Sequence, residues 1–227
     1  MLDERDCPDQ ILLGAMDTDF CVLIALGCYL ETLLSTKADG HRFLFGNIDD
    51  DDEPIRINER YQRWLGKVWK HEEFMALVAQ VKGSIGTHSV RKFPCTWCAE
   101  HGVSQDHTEI RGRWKGKQGG KTVNRYINVE QLPTDGHVAS VLCVGGPIRY
   151  MCRTGSGLEM KLDWMHDNVV PGIYNYFNAD PSNRVADVLA HAVLFAACQP
   201  GLEHLLPLGV GDRIRHAWSQ VRPDDFH

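Results

Sequence analysis

Ile85-Gly86-Thr87-His88-Ser89-Val90-Arg91-Lys92-Phe93 is the stretch on which the reading of this chain turns. Thr87 is a residue type that caps helix N-termini, so a helix is expected to start there and to carry His88 and Arg91 in its first turns. Side chains three apart share one helical face, and the N-terminal end of a helix favours an anion. Arginine is the planar, permanently charged clamp for a phosphate, and histidine can donate a hydrogen bond or take a proton near neutral pH. Together the two suit a single phosphate. Taken alone, such a pair is more often a solvated pair than a working one. Pro94 is expected to kink this helix or to shorten its regular part.

Two further groups follow in order: Gly112-Arg113-Trp114 and Arg125-Tyr126-Ile127, with Trp114 lying 23 positions after Arg91. An indole is a donor-only side chain that can reach a phosphate oxygen while its ring packs. A phenol is a poor nucleophile at its free pKa of about 10, so it needs a base and a cationic pocket. Singly, Trp114 and Tyr126 are ordinary core or interface aromatics. Their order and spacing give them weight.

This series, His88-x-x-Arg91, then Trp114, then Tyr126, resembles the C-terminal half of a tyrosine-recombinase catalytic domain, over about residues 20 to 130. The wording of residues 85 to 93 is similar to recombinase-like proteins of mobile elements in eukaryotic microbes. The resemblance implies a mainly α protein, with the C-terminal lobe of a DNA breaking-rejoining fold at residues 1–132 and a helical extension of unknown role at 133–227. It also implies that Tyr126 attacks the scissile phosphate, giving a 3′-phosphotyrosyl link and a free 5′-hydroxyl without a metal or other cofactor. Arg91 would neutralise a non-bridging oxygen, His88 would donate to it or accept the tyrosine proton, and Trp114 would give its indole N–H to the same phosphate. The implied partners are double-stranded DNA and further copies of the chain assembled on it.

Two departures from the family pattern matter. The family also uses an earlier arginine and a lysine on a β-hairpin, yet only nineteen residues precede the helix expected from Phe20, and Arg5 is their sole basic residue. The chain is thus expected to start after half of the active site. The glycine-rich run Lys115 to Lys121 also lengthens the interval between Trp114 and Tyr126, which a flexible loop absorbs at little cost. The alternative function is therefore a DNA-binding or assembly remnant of a recombinase that has lost the reaction.

The net charge of −6 argues against DNA until its distribution is examined. Residues 1–81 carry 8 Lys/Arg against 16 Asp/Glu, and residues 127–227 carry 7 against 11. Residues 82–126 carry 9 against 3, so the positive block coincides with the motif. Lys82, Lys92, Arg111, Arg113, Lys115, Lys117, Lys121 and Arg125 are the candidate phosphate contacts, with a solvated basic face as the plainer reading.

Among 227 residues, 43% are hydrophobic and 24% charged, enough for one or two ordinary cores. The longest apolar run, near Phe20 to Leu30, is too short and mixed to span a membrane, and the acidic opening lacks the positive start of a signal peptide. Eight scattered cysteines read as reduced thiols in an intracellular setting, nuclear if the source is eukaryotic. Cys95-Thr-Trp-Cys98, with His101 and His107, offers a rival zinc reading. Without a second ligand pair at conventional spacing, packing of Phe93, Trp97 and Cys98 is the favoured assignment.

Helices are expected over Asp19 to Leu34, with an N-cap at Asp17 to Asp19, and over Gln105 to Arg111 after Ser104. Residues 57–81 place Tyr61, Trp64, Leu65, Val68, Trp69, Phe74, Leu77, Val78 and Val81 at helical spacing, read as core. A helix is also expected over about Lys121 to Val129. The Gly145-Gly146-Pro147 break is expected to end a helix beginning near Asp135, and Asp163 to Asn168 to close another; later helices are expected from Asp180 to Cys198 and over Gly211 to Val221. Gly145-Gly146 lacks the spacing of a phosphate loop. The acidic run Asp49 to Glu53 lacks the alternation of a calcium loop.

Overall fold

The computed structural model describes residues 10–36, 54–79, 85–112, 132–154, 156–176 and 184–226. The protein is mainly helical, with ten α-helices and a single two-stranded ladder among the described residues. The chain forms two compact units, one of residues 1–40 with 109–227, the other of residues 41–108. Thus the N-terminal helix folds with the C-terminal helices and not with the segment carrying His88.

The first unit is organised around α9 (Arg184–Cys198). Eight of its residues are buried, mostly alanine, leucine and valine, so neighbours reach it from several sides. Helices α1 (Val22–Thr36), α7 (Leu162–Asn168) and α10 (Leu208–Ser219) pack against it, and α8 (Pro171–Tyr176) packs on α1 and α7. The approach of α1 to α9 is close enough to require glycine: a Cβ on Gly27 would stand 2.7 Å from Val193 Cγ2 and 3.3 Å from the Leu189 carbonyl oxygen. Small residues on one helix and a missing side chain on the other let the backbones near each other, as interior packing demands.

Strands β1 (Gly14–Ala15) and β2 (Pro147–Ile148) pair antiparallel, Gly14 opposite Ile148 and Ala15 opposite Pro147. The turn leading into β2 follows α6 (Leu132–Leu142) and places Gly145 and Gly146 at φ +78° and +109°, a region open to glycine at little cost. Met16 N–H donates to the Gly146 carbonyl and Asp17 N–H to the Val144 carbonyl. The Gly-Gly pair is therefore a backbone-docked turn. Asp17 then caps a 3-10 turn, Thr18–Phe20, its side chain accepting from Asp19 N–H at 3.1 Å, one step before α1.

The second unit holds α2 (Pro54–Val68), α3 (Glu72–Val78), α4 (Thr87–Glu100) and most of α5 (Gln105–Arg111). Two helices stand where one apolar periodicity ran, because His71 is extended (ψ 136°) and Glu72 and Glu73 favour a new N-terminus. Leu65 is buried as expected, whereas Trp64 is 60% exposed and is not core. Helix α4 runs through Pro94 to Glu100 without being shortened there. It stops in a Schellman arrangement: Gly102 at φ +77° donates to the Ala99 carbonyl, and Val103 N–H to that of Cys98. Cys98 and Val103 are both buried, supplying the apolar contact this motif favours. Ser104 then caps α5, its Oγ accepting from His107 N–H at 3.2 Å.

Candidate nucleic-acid site

The site expected from the sequence starts at the N-terminus of α4. Its N-cap is Gly86 and not Thr87, one residue earlier than expected: Gly86 is extended, Ser89 N–H donates to its carbonyl at 2.8 Å, and Gly86 N–H donates to Ser89 Oγ at 3.1 Å. Ser89 thus ties the N–H of the N-cap residue back onto the first turn, a different bond from the one expected of Thr87. His88 and Arg91 then occupy the first two turns at a spacing of three, on one face. His88 and Lys92 are exposed, and no acidic residue sits in the first turn to compete with an anion. The Arg91 side chain lies outside what the structure describes, as do Trp114, Tyr126, Lys82, Arg113, Lys115, Lys117, Lys121, Arg125 and the helix expected over 121–129.

Arg111 is placed differently from a free phosphate contact. Its guanidinium lies 2.5 Å from Asp135 Oδ2, the two side chains being 16% and 12% exposed, and the same carboxylate accepts from Ile11 N–H. Gln10 Nε2 donates to the Arg111 carbonyl at 2.7 Å. This cation is committed to its own chain. Arginine and aspartate were both visible in the sequence, but their meeting needs the end of α5 and the first turn of α6 to be brought together first.

Around the rival metal reading, Cys98 is buried, His101 stacks on Trp97 with ring centroids 4.2 Å apart, and His101 Nδ1 lies 2.8 Å from the Trp97 carbonyl oxygen. Among the described residues no three His, Cys, Asp or Glu side chains are grouped to hold a metal ion. Phe93, expected to pack, is 53% exposed, while Cys98 is 1% exposed.

Two charged clusters escaped the sequence reading. Glu31 is fully buried in α1; its carboxylate accepts from Ile173 N–H at 3.1 Å, from Gly172 N–H at 3.4 Å and from Arg213 Nη2 at 3.0 Å. One carboxylate therefore caps α8 from another helix and pairs with α10. The signal was present, since Glu31 is the sole charged residue of an apolar helix. His166 is 4% exposed, with Nε2 2.7 Å from Asp187 Oδ1 and its ring stacked on Tyr174 at 4.0 Å. Its Nδ1 is buried without a hydrogen-bond partner.

Four thiols of the first unit are shifted toward the protonated form. Burial, aided by neighbouring Cys21, pushes Cys28 up to about 12, and burial also raises Cys143, Cys152 and Cys198. Tyr150 is raised by burial and by its hydrogen bond to Cys21, so this phenol stays neutral and structural, donating to the Ala15 carbonyl. Among the described residues no helix is long and apolar enough to cross a membrane. No protein-family model, curated protein or solved structure matches the chain.

Proposed function

We propose that the chain is a tyrosine-recombinase-like protein that binds double-stranded DNA and breaks and rejoins a strand through Tyr126. The observation carrying this reading is the start of α4: a capped helix whose first two turns hold His88 and Arg91 on one face, with an exposed Lys92 beside them and no carboxylate in the first turn. A phosphate meeting that end would find the positive end of the macrodipole, the exposed His88 and, in this reading, the guanidinium of Arg91. Further support comes from the sequence alone: the order and spacing of Trp114 and Tyr126, and the positive balance of residues 82–126.

In this reading Arg91 and Trp114 hold non-bridging oxygens as charge develops, His88 moves or shares a proton, and Tyr126 supplies the attacking oxygen. The phosphodiester energy is kept in the phosphotyrosyl link, so rejoining needs only the free 5′-hydroxyl to attack it in return. The test is incubation with a nicked duplex, whose cleaved end diffuses away and traps the covalent adduct. An adduct present in the wild type and absent in Tyr126→Phe is expected. Salt-sensitive duplex binding with no adduct at all would leave only a DNA-binding remnant, and no binding at low salt would end the DNA reading.

A further inference from the structure

In the first unit a cavity of about 210 Å³ lies between the segment Tyr150 to Cys152, one face of α9 and Trp218 of α10. Residues His191, Phe195 and Cys198, spaced by four and three along α9, line one side, and Cys152 lines the other. Both cysteines are free thiols. Cys198 is exposed at the last turn of α9, whereas Cys152 is half-buried, its backbone carbonyl held by Met160 N–H at 3.0 Å.

The two differ in access to solvent, so a solute reaches Cys198 first. Arg215, anchored by its Nη1 on the Ala197 carbonyl at 3.2 Å, stands beside Cys198 and favours its thiolate, against a larger opposing push from burial. Cys152 has no such cation; burial and the proximity of Cys198 both favour its thiol form. Cys21, Cys28 and Cys143, the remaining described thiols of this unit, are buried and out of reach of a solute.

We propose that Cys198 and Cys152 form a thiol-disulfide exchange site across this cavity, taking a small disulfide of the glutathione class as oxidant. Cys198 thiolate attacks one sulfur of the disulfide, forming a mixed disulfide and expelling one thiolate, which takes up the proton that Cys198 lost. Cys152 thiolate then attacks Cys198 sulfur, closing the intramolecular bond and expelling the second thiolate, which is likewise protonated. Two protein thiols are oxidised and one small disulfide is reduced to two thiols. The new bond ties the segment after β2 to the end of α9.

The full chain, reduced and then incubated with oxidised glutathione, is quenched in acid and digested with trypsin. The wild type is expected to lose two hydrogens and yield peptide 150–153 linked to peptide 185–213. Cys152→Ser is expected to stop at a glutathionyl adduct on Cys198, and Cys198→Ser to leave Cys152 unmodified over the same time. A glutathionyl adduct that persists on wild-type Cys198 without the link, no reaction at either thiol, or first attack at Cys152 would overturn the proposal. The wild-type link is read without any substitution, so a variant that folds poorly does not decide the outcome.

Discussion

Arg213 Nη2 lies 3.0 Å from Glu31 Oε1, and this one contact joins α10 to the carboxylate that caps α8. The acid is wholly enclosed while the side chain of its partner is 34% exposed, so the two are not equivalent. Arg213 also donates to the carbonyls of Asn168 and Val169, gathering the end of α7 into the same network.

Removing the cation strands a buried charge, whereas removing the acid leaves a guanidinium that water can reach. Arg213→Ala is expected to destabilise by about 3–5 kcal/mol and Glu31→Gln, which keeps shape and one acceptor, by about half of that. Urea unfolding of the two single variants and the double variant measures the coupling directly. Additive losses would show that the contact contributes nothing of its own.

Gly27→Ala adds a methyl 2.7 Å from Val193 Cγ2, nearer than carbon atoms tolerate. The better helix propensity of alanine, worth about 1 kcal/mol, is expected to be outweighed, for a net loss of about 1–3 kcal/mol. Trimming the obstruction with Val193→Ala in the same chain should recover part of it. Thermal unfolding of the three proteins checks both the sign and the rescue.

Thiol ionisation sets an alkaline limit. The Cys28 proton is held in the fold up to about 12 against an ordinary value of 9.0, so the unfolded chain releases it first as pH rises. The stability this group contributes is complete below pH 9 and is lost as pH climbs toward 12. Stability is expected to fall above pH 9 with a slope approaching about 1.4 kcal/mol per pH unit for a single such thiol. Denaturant midpoints at several alkaline pH values should show a shallower fall in Cys28→Ala.

Salt dependence separates the candidate phosphate contacts. Lys92 is exposed on α4, so Lys92→Ala is expected to lower the slope of log affinity against log salt for duplex DNA by about 0.9. Arg111→Ala should leave that slope unchanged and instead reduce stability, because its charge is already matched by Asp135. Equal losses of slope would mean that Arg111 leaves Asp135 for DNA.

Local rules of sequence carried far in some elements and failed in identifiable ways elsewhere. Ser104 before Gln105 announced α5 to the residue, and Gly145-Gly146 announced the turn that ends α6, because capping and positive φ are decided by immediate neighbours. The split between α2 and α3 was hidden, since the apolar period continues across His71 while two carboxylates start a second helix. Exposure of Trp64 and Phe93 was equally unreadable: helical spacing says which residues share a face but not what covers it. Of the site, the placement of His88 and Arg91 in the opening turns of α4 was legible from residue type and spacing. The Glu31 and Arg111 pairings join residues far apart in sequence, and no local pattern signals such a meeting.

The most direct test is to trap the protein on a nicked duplex, digest it and locate the nucleotide by mass spectrometry. The account expects a single phosphotyrosyl peptide carrying residue 126, abolished in Tyr126→Phe and reduced in yield in Arg91→Ala by the hundredfold or more that loss of about 3–4 kcal/mol of phosphate stabilisation gives. A covalent link to any other residue, or none from wild-type protein that binds the duplex, would contradict it.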